Sequence, residues 1–104
     1  MLDIQKFVNS LKNNGIEFIS GVPDTLLNDL CLSLELNWPE SHHVLSANEG
    51  NAIALATGYH LATNTVPLVY MQNSGLGNAM NPLISLTAKC VYSVLLFGPK
   101  KVQN

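Results

Sequence analysis

Short apolar runs alternate along this chain with stretches of helical periodicity, and a polar loop follows each of the first three runs. Residues 16–22, 42–47, 67–71 and 91–97 read as strands that are apolar nearly throughout. A strand of that kind needs cover on both faces, which a sheet with one wet face does not require. The helical stretches fall between the strands, at 3–14, after Asp24, at 49–62 and at 78–87. The pattern predicts an α/β chain: an open, mostly parallel sheet with helices on both faces, joined by right-handed crossovers. In such sheets ligands bind outside the carboxyl ends of the strands. The polar loops at Asp24, Glu49 and Asn73 all follow strands, so they are expected on one rim.

Local signals mark the element ends. Asp3 is a candidate cap for the first helix, which carries Phe7, Val8 and Leu11, and Asn13-Asn14-Gly15 stops it as a glycine C-cap would. Asp24 is positioned to cap the next helix, with Leu26, Leu27, Leu30 and Leu34, and Asn37-Trp38-Pro39-Glu40 breaks it. The helix from Glu49 to Ala62 is apolar nearly all round, which predicts cover on most sides. Pro82 lies within the last helix, where it is either tolerated early or kinks the chain.

With 104 residues the chain is one small domain, taken as residues 1–97 with a divergent tail at 98–104. Its 47% hydrophobic and 12% charged content is apolar for a domain of this size, which argues for a face buried against a partner. Five lysines, no arginine and a net charge of −2 leave no footprint for nucleic acid and no bidentate phosphate clamp. No run approaches the roughly 18 apolar residues of a membrane helix, and the first residues do not form a signal peptide, so a cytoplasmic setting is expected. Cys31 and Cys90 have neither metal nor redox spacing and read as small core thiols; no metal site is expected.

Glu49 is the leading candidate for chemistry. It stands in Ser46-Ala47-Asn48-Glu49-Gly50-Asn51-Ala52, where an apolar strand meets a helix of small residues. An acid in a first helical turn is favoured by the helix dipole, which accounts for a carboxylate but not for the amides around it. In apolar surroundings a carboxylate is costly unless paired, and it suits the sharing of a proton with a ring nitrogen. The second candidate is Gln72-Asn73-Ser74-Gly75-Leu76-Gly77-Asn78, a glycine turn flanked by amides. It lacks the third glycine and the later acid of a dinucleotide-binding fingerprint, with Met80 and Phe97 in those places. What remains is a backbone that a ligand or partner approaches closely. Asp24 is open between capping and function. His42 and His43 read as a strand-edge pair on opposite faces, and Tyr59 and His60 as packing and a satisfied imidazole.

Phe18 to Leu27, Ala47 to His60 and Val69 to Asn78 together resemble the opening of the phosphonopyruvate decarboxylases, with the sulfopyruvate decarboxylases close to them. These are thiamine diphosphate enzymes, and the resemblance, from about residue 3 to 87, is to their N-terminal pyrimidine-binding domain. It implies that Glu49 hydrogen-bonds the aminopyrimidine N1′. It also implies that Asn73, Ser74, Gly75, Leu76, Gly77 and Asn78 line the pyrimidine and substrate pocket, and that Asp24 faces the active site as a catalytic or substrate-orienting acid. The implied reaction converts 3-phosphonopyruvate to phosphonoacetaldehyde and carbon dioxide, the cofactor serving as electron sink. The diphosphate and Mg2+ would be held by a domain carrying Gly-Asp-Gly, a motif this sequence does not contain. A truncated product, inactive alone, is therefore expected. The alternatives are the small subunit of a two-chain sulfopyruvate decarboxylase, a non-catalytic module pairing with full-length chains, and an unstable fragment. The implied partners are thiamine diphosphate, a small 2-keto acid and a diphosphate-binding domain in a homo- or hetero-oligomer.

Overall fold

Helices and strands alternate as the sequence requires: α1 (Ile4–Asn13), β1 (Ile19–Gly21), α2 (Asn28–Asn37), β2 (His43–Leu45), α3 (Glu49–Thr63), β3 (Leu68–Gln72), α4 (Leu76–Thr87) and β4 (Ser93–Phe97). The structure is a computed structural model that describes residues 3–87 and 93–97. Cys90 and the expected tail at 98–104 lie outside the described residues.

All strand pairs are parallel, in the order β2-β1-β3-β4. β3 is buried on both faces and sorts its side chains by alternation. Leu68 and Tyr70 join Val8, Ile19, Leu30, Cys31 and Leu34, packing α1 and α2 on one face. Val69 and Met71 join Ala52, Ile53, Ala56 and Ala79, packing α3 and α4 on the other. Ser20, fully buried, donates through Oγ to the Ala52 carbonyl at 2.8 Å and ties β1 to α3. Because β2 and β3 flank β1, the chain leaves β1 and β3 in opposite directions. The crevice that favours ligands in such sheets opens outside the carboxyl ends of these two strands.

Several element ends follow local chemistry. The Asp3 carboxylate accepts the Lys6 amide at 3.1 Å and caps α1. At the other end Gly15 sits at φ +79°, with Gly15 N–H donating to Lys12 O and Ile16 N–H to Leu11 O. That paired bonding is a Schellman closure, and the left-handed residue it needs is glycine.

Four expectations are corrected. The helix after Asp24 is not continuous: it opens with a 3-10 turn at Thr25–Leu27, in which the Asp24 carbonyl accepts the Leu27 amide, and α2 itself starts only at Asn28. β1 and β2 are shorter than their apolar runs, and His42 belongs to a 3-10 turn before β2 rather than to the strand. α3 is covered on one side only, through Ala52, Ile53, Ala56 and Thr57, while Leu55 and Leu61 are 39% and 68% exposed. Its small, apolar surface is thus only half used by the described residues. Finally, α4 begins at Leu76, two residues before the expected start, and Pro82 lies inside it. Pro82 has no N–H for the Asn78 carbonyl. Gly50 of α3 packs at this point: a Cβ on it would stand 3.1 Å from that carbonyl and 3.4 Å from the Pro82 ring.

Candidate functional site

The site is built where α3 starts. Asn48 is extended and its side chain accepts the Asn51 amide at 2.9 Å, so it is the N-cap. One of the amides that the sequence placed beside Glu49 therefore has a structural task. Glu49 becomes the first residue of α3, with its carboxylate at the positive end of the helix dipole.

The Glu49 side chain lies against Gly75. A Cβ built on Gly75 would meet Glu49 Cγ at 2.5 Å, Cδ at 2.6 Å and Oε1 at 2.8 Å. The acid after β2 and the glycine after β3, 26 positions apart in the chain, are brought into contact. Oε2 of Glu49 is buried and has no hydrogen-bond partner among the described residues. A buried carboxylate oxygen left without a donor is costly and calls for a complement, from a water, an ion or a ligand group. The chemical complement is a single N–H or O–H donor, such as a protonated nitrogen of an aromatic ring.

The Gln72–Asn78 stretch divides in two. Asn73–Gly75 is a 3-10 turn, and Leu76, Gly77 and Asn78 form the first turn of α4 rather than a loop. No left-handed backbone occurs at Gly75 or Gly77. The two glycines act through space: Gly75 is buried under Glu49, whereas a Cβ on Gly77 would meet nothing within 4 Å. Asn73, Ser74 and Asn78 are exposed on the rim, and Ser74 Oγ donates to Gln72 Oε1 at 2.8 Å.

Asp24 follows β1 on the same rim but in different company. It lines a cavity of about 280 Å³ with Pro23, Thr25, Asn28 and Cys31. A larger cavity of about 560 Å³ lies along β2, lined by Glu35, Trp38, Glu40, His43, Val44 and Leu45, and Glu49 is not among its walls. No group of three or more His, Cys, Asp or Glu able to hold a metal ion occurs among the described residues.

One polar cluster was not legible in the sequence. Tyr70 crosses from β3 over Gly21 to reach His43 on β2, and a Cβ on Gly21 would collide with the Tyr70 ring. Its hydroxyl lies 3.0 Å from His43 Nε2 and accepts from the Cys31 thiol at 3.5 Å. Burial, then the Cys31 hydrogen bond, push the Tyr70 phenol above its ordinary range. Burial also lowers the His43 pKa, against the opposing pull of Glu35. The bond joins residues 27 apart, on strands that are not neighbours. Only the strand order reveals that one tyrosine can span them. Tyr59 packs as expected, its ring stacked on Phe18 at 4.2 Å, and His42, read as part of a strand-edge pair, instead sets its ring edge-on to both. The His60 ring is bonded to the Thr65 carbonyl at 2.9 Å.

Residues 4–103 match the family model described as the thiamine pyrophosphate enzyme, N-terminal TPP binding domain. The alpha subunit of sulfopyruvate decarboxylase from Methanothermobacter thermautotrophicus is 37% identical over 76 residues, covering 73% of this chain and 45% of that one. Phosphonopyruvate decarboxylase from Streptomyces viridochromogenes is 34% identical over 86 residues, covering 83% of this chain and 21% of that one. The chain thus spans less than half the length of either relative. Among solved structures, an enzyme from Mycobacterium smegmatis described as thiamin diphosphate-dependent superposes with a TM-score of 0.70 at 26% identity, covering 91% of this chain and 18% of the other.

Proposed function

This chain belongs to the thiamine pyrophosphate enzymes through their N-terminal TPP-binding domain, and we propose that it forms the pyrimidine half of the cofactor site of a 2-keto acid decarboxylase. The observation that carries this reading is the buried Oε2 of Glu49, without a partner among the described residues and set at the rim of a parallel sheet. The donor it calls for matches a protonated pyrimidine nitrogen, so the residues present fit the group. When bound, thiamine diphosphate supplies the electron sink for loss of carbon dioxide.

The chain's own residues do the rest. Glu49 holds the pyrimidine ring by its nitrogen and favours the protonated form there. Asn48 fixes the helix start from which Glu49 projects. Gly77, with open space at its α-carbon, and the exposed Asn73, Ser74 and Asn78 offer backbone and amide groups to the ring and substrate. Asp24, on the loop after β1, orients the substrate or moves a proton to it. The diphosphate and Mg2+ are held by a domain or subunit outside this chain, which is inactive alone. The α3 surface of Leu55 and Leu61 is the apolar area such a partner would cover.

The substrate we favour is 3-phosphonopyruvate. Sulfopyruvate is the second reading, favoured by the 37% identity to a sulfopyruvate decarboxylase subunit named alpha, an enzyme divided between chains. Mixing the chain with a diphosphate-binding subunit, thiamine diphosphate and Mg2+ should release carbon dioxide from one of the two acids. Glu49→Gln should lower that rate by about 100-fold or more. Turnover undiminished in the variant would sink the assignment of Glu49.

A further inference from the structure

Two glycines in this chain are glycine for different reasons. Gly15 has a left-handed backbone that only glycine adopts without strain. Gly75 does not, so alanine could take its backbone conformation. What excludes a side chain at 75 is Glu49, three of whose atoms would lie 2.5–2.8 Å from the new Cβ.

From this we infer that Gly75 is a positioning residue for Glu49: the hollow left by its missing side chain is the seat that holds the carboxyl group and keeps Oε2 out of water. The seat lies where β3 turns into α4, and the acid is at the start of α3. The packing of α3 on α4 sets the depth of the hollow, and Gly50 permits that packing by bringing the first turn of α3 onto α4 at Asn78 and Pro82. A side chain at 75 would leave the carboxylate two ways out. It would swing into solvent, where Oε2 gains water and loses its aim, or it would force α3 away from α4. In either case the donor-seeking oxygen leaves the rim crevice. Gly75 therefore acts through Glu49 and need not touch the cofactor. The contact stands on geometry alone; only its consequence for the cofactor rests on the function proposed above.

A double-mutant cycle on the full 104-residue chain tests it. Gly75→Ala should shift the melting midpoint by about 4 °C or more while Glu49 is present, downward where α3 is forced off α4 and upward where the buried carboxylate is released to water. In a Glu49→Ala background the same substitution should shift nothing. Equal shifts in both backgrounds, or failure of both the single and the double variant to fold, would overturn the inference. Folding of the double variant alone would support it. A second readout separates the seat from the function. When thiamine diphosphate and Mg2+ are added to the chain already mixed with a diphosphate-binding subunit, the NMR shifts of the residue 49 and 75 amides should move in the native chain and stay still in Gly75→Ala. A coupled cycle without any cofactor-induced shift in the native chain would support the seat and remove the proposed function.

Discussion

At position 21 a methyl group has nowhere to go, because the Tyr70 ring crosses the glycine on its way to His43. Gly21→Ala should cost about 1–3 kcal/mol in a urea melt, the usual range for overpacking. A melt indistinguishable from the native one would show that the ring does not rest there. The same cluster makes stability depend on pH. His43 has its pKa lowered by burial, so the folded chain binds fewer protons at this group than the unfolded chain. Its contribution is therefore intact above the ordinary histidine value of about 6.5 and is lost as pH falls through the lower folded value. Unfolding midpoints measured from pH 7.5 downward should decline, and His43→Gln should flatten that decline. None of this was visible in the sequence, where His42 and His43 looked like an edge pair. The place of Glu49 at the start of α3 was legible, because an acid between an apolar run and a helix of small residues suits a first helical turn. Its seat was not, since the glycine that makes it stands 26 positions away.

Among the elements, those ended by their own residues were the easiest to read. Asp3 and Gly15 bracket α1 by a side-chain cap and a left-handed residue, both local devices. The start of α2 was misplaced because the same proline-acid turn opens either an α-helix or a 3-10 turn, and the backbone takes the second. α4 starts early because the glycines at 75 and 77 need no turn conformation and are free to enter a helix. The exposure of α3 was hidden for a different reason: an all-round apolar pattern says that cover exists but not that this chain provides it. The cap before Glu49 gives a prediction at this scale. Asn48→Ala should destabilise the chain by about 1 kcal/mol, because the Asn51 amide loses its acceptor. A loss near zero would mean that water replaces the cap.

For the molecule as a whole, apolar strands following one another through helices determined a parallel sheet with two covered faces, and the structure has both. The order β2-β1-β3-β4 was not determined, because it depends on which crossover steps back past β1. That step places the crevice, and with it the functional reading. The apolar side of α3 then argues that the folded chain meets a partner. Leu61→Lys should weaken association with a diphosphate-binding subunit by about 10-fold or more while leaving the melting midpoint of the isolated chain unchanged, since Leu61 is 68% exposed. Unaltered affinity in sedimentation would place the partner elsewhere. The central claim is that Glu49 Oε2 awaits the ring nitrogen of an aminopyrimidine, and an NMR titration of the 15N-labelled chain with thiamine, the cofactor without its diphosphate, addresses it most directly. The account predicts shifts centred on the amides of Glu49 and Gly75 that disappear in Glu49→Gln. Equal shifts in that variant, or shifts gathered instead at the cavity of Glu35, Trp38 and His43, would contradict it.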